Sequence, residues 1–216
     1  MKVFAHYFKS PETGNEYRWR TLLQFGTSWK VIGTIVMKNP GSAAPLKTIE
    51  DTETLSHLNA FSSENDWYAF SVDNTMQNIE RLFSAYYKNK SGSSTLDGVI
   101  QVFNLMNVRD PNLEMALVKN QERAFPFSRT VDKDITQLIA PVYLGWGNLK
   151  FNPTFRDDAE RLFHTVYEMP DGKYLHANFA ENSFYHPQYL MGRGKNRPNS
   201  QYLLHAFCQN TTSPSY

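Results

Sequence analysis

The sequence predicts an α/β protein, a three-layer α/β/α sandwich around a mostly parallel four-stranded central sheet with an additional N-terminal antiparallel hairpin. Apolar, β-branched runs at residues 29–37, 99–105 and 141–144 are typical of strands that are buried on both faces. Segments with helical spacing of apolar residues lie between them, as in βαβ units. Right-handed crossovers then place helices on both sides of the sheet.

The N-terminal hairpin rests on two segments rich in β-forming residues, at 2–8 and 17–25. A turn-like stretch, Ser10-Pro11-Glu12-Thr13-Gly14-Asn15, separates the two segments. The first buried strand, 29–37, ends abruptly at Asn39-Pro40-Gly41. Residues 42–70 are polar and contain only an ambiguous helical piece.

The best-defined helix begins behind Asp73, which is predicted to be its N-cap. Apolar residues follow it at helical spacing: Met76, Ile79, Leu82, Phe83 and Tyr86. The second buried strand, 99–105, comes after a Gly/Ser turn. The remaining predicted elements are helices at 113–123 and 131–139, a strand at 141–144, an amphipathic helix at 157–167, a strand at 173–179 and a helix at 199–207.

The 216 residues fit one domain, predicted to span residues 1–209 and to be followed by a frayed tail at 210–216. The only cysteine is Cys208, so no intramolecular disulfide can form and a cytoplasmic location is expected. No apolar stretch approaches the roughly 20 residues that span a bilayer. The net charge is +1, which provides no overall basic field for nucleic acid, although a local patch could still bind it. We expect no cofactor, and the six histidines show no pairing that would predict a metal site.

Ligands of open parallel sheets bind outside the carboxyl ends of the strands, so the segments after each predicted strand are the candidate site. Together these segments supply amides, an imidazole, aromatic rings and cations. They are Asn39-Pro40-Gly41-Ser42, then Asn104 with Asn107-Val108-Arg109-Asp110, then Gly145-Trp146-Gly147-Asn148, and finally Tyr185-His186-Pro187-Gln188-Tyr189-Leu190-Met191-Gly192-Arg193-Gly194-Lys195.

Each of these features also has a purely structural interpretation. Asn39-Pro40-Gly41 is ordinary turn chemistry. Trp146 could cap a core, and His186 could be a loop histidine bonded to the backbone. Their joint placement at strand ends is what favours a site.

The order of the motifs resembles a bacterial domain family of unknown function. Its members show an R-Y-x-L-like opening, a strand followed by N-P-S-T-A, then D-x-T, a strand followed by N-L and a strand followed by W-G. The matching segments, from about residue 17 to 205, are Tyr17-Arg18-Trp19-Arg20, Asn39-Pro40-Gly41-Ser42-Ala43, Asp73-Asn74-Thr75, Asn104-Leu105 and Gly145-Trp146-Gly147.

A more distant resemblance is to the uracil-DNA glycosylase superfamily, especially its mismatch-specific branch. Asn39-Pro40-Gly41-Ser42-Ala43-Ala44 looks like the N-P-G-x-x-S-A motif of that branch. Asn104, Trp146-Gly147 and His186-Pro187-Gln188-Tyr189-Leu190 are similar to later motifs of the superfamily, in the same order.

This resemblance implies roles for individual residues. Asn39 would position a water, and His186 would stabilise charge on a departing base. Substrate would contact Pro40, Gly41, Ser42, Asn104, Arg109, Trp146, Gly147 and Tyr189, with Asn104 reading a base edge and Trp146 or Tyr189 stacking on the base. Nucleic acid would contact Leu190, Met191, Arg193 and Lys195.

Three functions therefore remain open from the sequence. The first is an enzyme that acts on a nucleobase in nucleic acid, above all in DNA, by cleaving its N-glycosidic bond. The second is a binding module that recognises nucleotides or nucleic acid without chemistry. The third is a small-molecule enzyme of another class, for which Asp73 and Asp110 are candidate acids.

Overall fold

The computed structural model describes residues 1–64, 66–121, 126–130, 132–149, 153–169, 178–181, 183–191 and 200–209. The strands are β1 (Lys2–Lys9), β2 (Glu16–Phe25), β3 (Val31–Met37), β4 (Pro45–Thr48), β5 (Trp67–Phe70), β6 (Gly98–Asn104) and β7 (Val142–Leu144). The helices are α1 (Thr52–Asn59), α2 (Asn74–Ser91), α3 (Leu113–Gln121), α4 (Asp132–Ile135), α5 (Pro153–Tyr167) and α6 (Ser200–Gln209), with 3₁₀ turns at Phe179–Glu181 and Pro187–Met191.

The described strands form one seven-stranded mixed sheet in the order β4-β5-β1-β2-β6-β3-β7. Only the pairs β6–β3 and β3–β7 are parallel. The pairs β4–β5, β5–β1, β1–β2 and β2–β6 are antiparallel. The sheet therefore has a parallel half and an antiparallel half, which meet at the pair β2–β6.

The prediction of a mostly parallel four-stranded sheet is wrong, because the sheet has seven strands and is mostly antiparallel. The hairpin β1–β2 forms as predicted, but it occupies the middle of the sheet. Every residue of β2 after Glu16 is buried, as expected for a central strand. Its polar residues Arg18, Arg20 and Thr21 hide that burial from a search for apolar runs.

Helices pack on both faces of the sheet, around separate apolar clusters. On one face α2 and α6 contact β3 and β6 through Met37, Met76, Phe83, Val102 and Phe207. On the other face α5 packs on the next residues of the same strands, with Val36, Phe103 and Phe163 in contact. Ile35 and Val36 belong to opposite clusters, which is the alternation expected along a strand.

The helix predicted behind Asp73 is α2, and the Asp73 side chain accepts a hydrogen bond from the Met76 amide at 2.8 Å. The helix predicted at 131–139 reduces to α4 (Asp132–Ile135). The predicted strand at 173–179 falls mostly outside the described residues, and Phe179 itself begins a 3₁₀ turn. The tail at 210–216 also lies outside them. None of the helices described has the length and apolar character that crossing a membrane requires.

Candidate functional site

A cavity of about 260 Å³ lies where the parallel and antiparallel halves of the sheet meet. Strands β3 and β6 end at this edge of the sheet, whereas the antiparallel β2 begins there. The lining therefore combines the carboxyl ends of two strands with the start of a third and the N-terminus of α2. The lining residues are Arg18, Thr21, Met37, Asn39, Pro40, Gly41, Ser42, Asp73, Thr75, Met76, Ile79, Val102, Asn104, Pro111, His186 and Gln188.

Seven residues of the predicted strand-end segments line this cavity: Asn39, Pro40, Gly41, Ser42, Asn104, His186 and Gln188. Sequence reasoning missed Arg18 and Thr21, which come from the start of β2. It treated Asp73 as a helix cap first and as a functional acid only in one alternative. The signal that could have found Arg18 is a charged residue within a strand that is otherwise buried.

Residues 39–43 form a turn that is held from several sides. Gly41 has a φ of 73°, a left-handed conformation that favours glycine. The Asn39 side chain donates from Nδ2 to the carbonyl oxygen of Asp110 at 3.2 Å. This bond fixes which end of the amide is the oxygen, so Asn39 Oδ1 is the atom suited to accept a hydrogen bond from water.

Arg18 ties this turn to β2. One terminal nitrogen of its guanidinium donates to the Pro40 carbonyl, and the other donates to the Ala43 carbonyl at 3.4 Å. The guanidinium also lies 5.3 Å from the centroid of the Phe70 ring. The side chain is only 3% exposed. Arg18 takes part in none of the ion pairs found among the described residues. Burial lowers the pKa of Arg18 to about 10, and nearby Asp73 acts in the opposite direction.

Three polar atoms in the cavity wall are buried and have no hydrogen-bond partner among the described residues. They are Arg18 Nε, Thr21 Oγ1 and Asn104 Nδ2. Thr21 is 1% exposed and Asn104 is 2% exposed, so bulk water does not reach these groups freely. An unsatisfied buried polar group costs about 1–3 kcal/mol, and such groups are rare in native proteins. All three residues line the same cavity, which makes it the candidate site.

A β-bulge brings Arg18 and Thr21 to the same face of the sheet. Phe4 pairs with Leu22 and His6 pairs with Trp19, so β2 has one residue more than β1 between these pairs. Arg20 adopts a φ of 46° there. In a regular strand, residues three apart point to opposite faces, and Arg18 and Thr21 could not both line the cavity.

Arg20 is anchored on the opposite face from the cavity. Its guanidinium donates to Asp134 Oδ1 at 2.6 Å and to Gln137 Oε1 at 2.5 Å, and it lies 5.1 Å from the Phe103 ring centroid. A non-glycine residue at positive φ costs of order 1–3 kcal/mol and persists only where its surroundings hold it. The contacts of Arg20 provide that support.

The remaining polar groups come from α2 and from the loop that precedes Leu190. Asp73 is half-buried and lines the cavity beside Thr75. His186 Nδ1 accepts the Gln188 amide at 3.1 Å, so a neutral ring carries its proton on Nε2.

Arg109 holds the turn without lining the cavity. Its Nε donates to the Ala43 carbonyl at 2.7 Å and a terminal nitrogen donates to the Ser42 carbonyl at 2.8 Å. The other terminal nitrogen pairs with Glu16. The two arginines 18 and 109 therefore share the Ala43 carbonyl as an acceptor.

The other residues singled out from the sequence lie elsewhere. Trp146 is 1% exposed and packs against Phe184 at a ring-centroid distance of 4.5 Å, which leaves no face for a ligand. Gly147 and Tyr189 line a separate cavity of about 610 Å³. Leu190 is 2% exposed within the α2–α6 cluster and presents no wedge to a base stack. The Met191 side chain and residues 193 and 195 lie outside the described part of the chain.

Trp146→Ala is expected to lower the free energy of unfolding by about 3–5 kcal/mol, the usual cost of removing a buried aromatic side chain. Urea denaturation measures the loss. Because Trp146 does not line the 260 Å³ cavity, the folded variant should keep its ligand affinity. A selective loss of binding with unchanged stability would contradict a core role for Trp146.

Within the described ranges, no group of three or more His, Cys, Asp or Glu side chains is placed to hold a metal ion. Comparisons with protein-family models, with curated proteins and with solved structures found no match to this chain.

Proposed function

We propose that the cavity at the β2–β6 junction binds a nucleobase or a heterocycle of similar size. The observation that carries the proposal is the set of unpaired, buried groups on Arg18, Thr21 and Asn104. Arg18 Nε and Asn104 Nδ2 can only donate, and the Thr21 hydroxyl can donate or accept. Carbonyl oxygens and ring nitrogens of a heterocycle supply the matching acceptors.

The size and the walls of the cavity suit a single ring system. About 260 Å³ is below the roughly 300–1,000 Å³ of pockets that hold drug-sized ligands. Met37, Met76, Ile79 and Val102 supply the apolar part of a lining that is polar for the larger part. A flat heterocycle contacts these four side chains with its faces and presents its polar edge to the three unpaired groups.

Asn104→Leu is expected to weaken binding of a free nucleobase by about 5- to 150-fold, because one hydrogen bond in a buried site contributes about 1–3 kcal/mol. Isothermal titration calorimetry with a panel of nucleobases measures the affinity. Asn120→Leu is a matched control, since Asn120 is also buried and its Oδ1 has no described partner, yet it lies outside the cavity.

The control variant should bind like the parent protein. If no nucleobase binds to the folded parent protein at millimolar concentration, the proposed function is wrong. If Asn104→Leu binds as tightly as the parent, the ligand occupies another site.

Hydrolysis of an N-glycosidic bond is the second candidate, and the fixed amide of Asn39 favours it. Asn39 lines the same cavity, and its bond to Asp110 leaves Oδ1 as the end suited to orient a water. An amide orients water but is a poor base, so turnover would be slow.

Base release from nucleosides and from modified or mismatched oligonucleotides tests this second candidate. Asn39→Ala should abolish release and leave base binding within a few fold. An absence of release from every substrate, with base binding intact, would leave recognition without chemistry as the function.

A further inference from the structure

We propose that the larger cavity, beyond the end of β7, binds an aromatic carboxylate, with the ring against tyrosine and phenylalanine side chains and the carboxylate on Arg156. The volume of this cavity is about 610 Å³, within the roughly 300–1,000 Å³ of pockets that hold small molecules. It shares none of its described lining residues with the cavity at the β2–β6 junction, so the site is independent of the proposed function.

Aromatic side chains provide much of the lining. Phe179, Tyr185 and Tyr189 are half-buried, so part of each ring remains accessible to a ligand. Tyr185 and Tyr189 meet edge to face with their ring centroids 5.8 Å apart, and Phe179 lies 5.5 Å from the ring of Phe184. Rings attract one another beyond the effect of burying their area. The lining therefore favours an aromatic ring over an aliphatic group of similar size.

The charge of the lining favours an anion. Arg156 is the only charged side chain among the described lining residues. It lies in the first turn of α5, is exposed, and takes part in none of the ion pairs found in the described part of the chain. A guanidinium group binds a carboxylate through two parallel N–H bonds. Arg156 is therefore available to pair with an acidic ligand.

A second cation contacts the cavity wall. The ammonium group of Lys38 donates to the backbone carbonyl of Asn148, which lines the cavity. Lys38 is half-buried, so salt screens its charge less than that of a fully exposed lysine. Lys38 and Arg156 together create a positive field that attracts an anion.

Backbone and side-chain hydrogen bonds hold the segment with the aromatic rings at the end of β7. The Gly147 amide donates to the Phe184 carbonyl at 2.7 Å. The Tyr143 hydroxyl donates to the Tyr185 carbonyl at 2.6 Å. Because these bonds fix the backbone on which the rings stand, a ligand has little to order when it binds.

Four probes separate the ring from the charge. They are phenylacetate and indole-3-acetate as aromatic acids, phenylacetamide as the neutral amide, and cyclohexylacetate as the acid without an aromatic ring. Titration calorimetry at low ionic strength should show that phenylacetate or indole-3-acetate binds at millimolar concentration. Phenylacetamide should bind about fivefold more weakly than phenylacetate, and cyclohexylacetate about 2- to 10-fold more weakly.

Arg156→Met is the decisive variant, because methionine keeps an apolar stem and removes the charge with its donors. It should abolish the preference for phenylacetate over phenylacetamide and leave the affinity for phenylacetamide within about twofold. Arg161→Met is the matched control, since Arg161 is exposed on the same helix, pairs with Asp158 and does not line the cavity. The control should bind every probe like the parent protein.

Tyr185→Leu tests the ring contact, and we expect it to weaken phenylacetate binding by about 2- to 10-fold. Its control is Tyr202→Leu, because Tyr202 is 47% exposed and does not line the cavity. Urea denaturation shows whether both variants are folded. Arg156 is exposed, so Arg156→Met decides the question even if Tyr185→Leu does not fold.

A site for aromatic acids is contradicted if no probe binds the parent protein at millimolar concentration, or if Arg156→Met and Arg161→Met bind phenylacetate equally well. Binding of cyclohexylacetate as tight as that of phenylacetate would contradict the aromatic part of the ligand class. Asn104→Leu should bind phenylacetate like the parent, because Asn104 lines the other cavity. A loss of phenylacetate binding in that variant would place the probe at the β2–β6 junction and overturn the second site, whereas the proposed function would stand.

Discussion

Arg18→Met should weaken ligand binding by about 10- to 150-fold, the equivalent of the ~1.5–3 kcal/mol that a hydrogen bond from a charged group contributes. Methionine keeps much of the buried length of the side chain and removes all of the donors. The variant should also be less stable, because the carbonyls of Pro40 and Ala43 lose their arginine donor. Calorimetric titration and urea denaturation measure the two effects separately.

Arg109→Met is the control for the second effect. Arg109 holds the same turn through the carbonyls of Ser42 and Ala43 but does not line the cavity. Its loss should lower the free energy of unfolding and should affect ligand affinity much less than the loss of Arg18 does. Equal loss of affinity in the two variants would mean that Arg18 acts only by holding the turn.

Asp134→Ala is expected to lower the free energy of unfolding by about 3–5 kcal/mol, the cost of leaving a buried charge without its partner. Arg20 is buried, and burial lowers its pKa while Asp134 opposes that shift. The same substitution removes an anchor of the β-bulge, so ligand affinity should fall with stability. Urea denaturation and titration of the folded variant measure the two losses.

Arg161→Ala provides the exposed counterpart, since Arg161 pairs with Asp158 at 3.4 Å on the surface. Pairs of this kind contribute about 0–1 kcal/mol. A similar small loss for Asp134→Ala would show that the Arg20 pair does not stabilise the bulge. Arg20→Gly tests the backbone separately, because glycine adopts the positive φ without strain but cannot reach Asp134.

The apolar runs were sufficient to locate strands β3, β6 and β7, although the sheet predicted from them was wrong. Strands β3, β6 and β7 are mostly apolar, a pattern typical of strands that are buried on both faces. Strand β2 is just as buried although it carries polar residues. Some of these residues form hydrogen bonds with partners that are distant in the sequence. Arg20, for example, bonds to Asp134 and Gln137. Such partners are not apparent from local sequence.

The sequence did not predict the strands β4 and β5, at one edge of the sheet, for a different reason. Strands β4 and β5 have four residues each, and β4 is exposed along most of its length. In β5 only Trp67 and Phe70 are buried. Four residues are too few to establish a period of two, so the polar stretch 42–70 gave no strand signal.

Only part of the candidate site was predicted, because the rule for ligand binding at strand ends considers only the carboxyl ends of the strands. It leads to Asn39 and Asn104, which follow or end parallel strands. It does not lead to Arg18 and Thr21, because β2 runs in the opposite direction and contributes its beginning to the same edge. Only the strand order, together with the bulge, places them beside Asn104.

If the cavity lined by Arg18, Thr21 and Asn104 binds a ligand, the free energy of unfolding reports that binding. A compound that binds only the folded protein raises that free energy by RT ln(1 + [L]/Kd), about 2.7 kcal/mol at a concentration of one hundred times Kd. A library of heterocycles can therefore be screened through the melting temperature alone, before any reaction is known. In such a screen, Asn104→Leu separates compounds that occupy this cavity from those that stabilise the protein elsewhere.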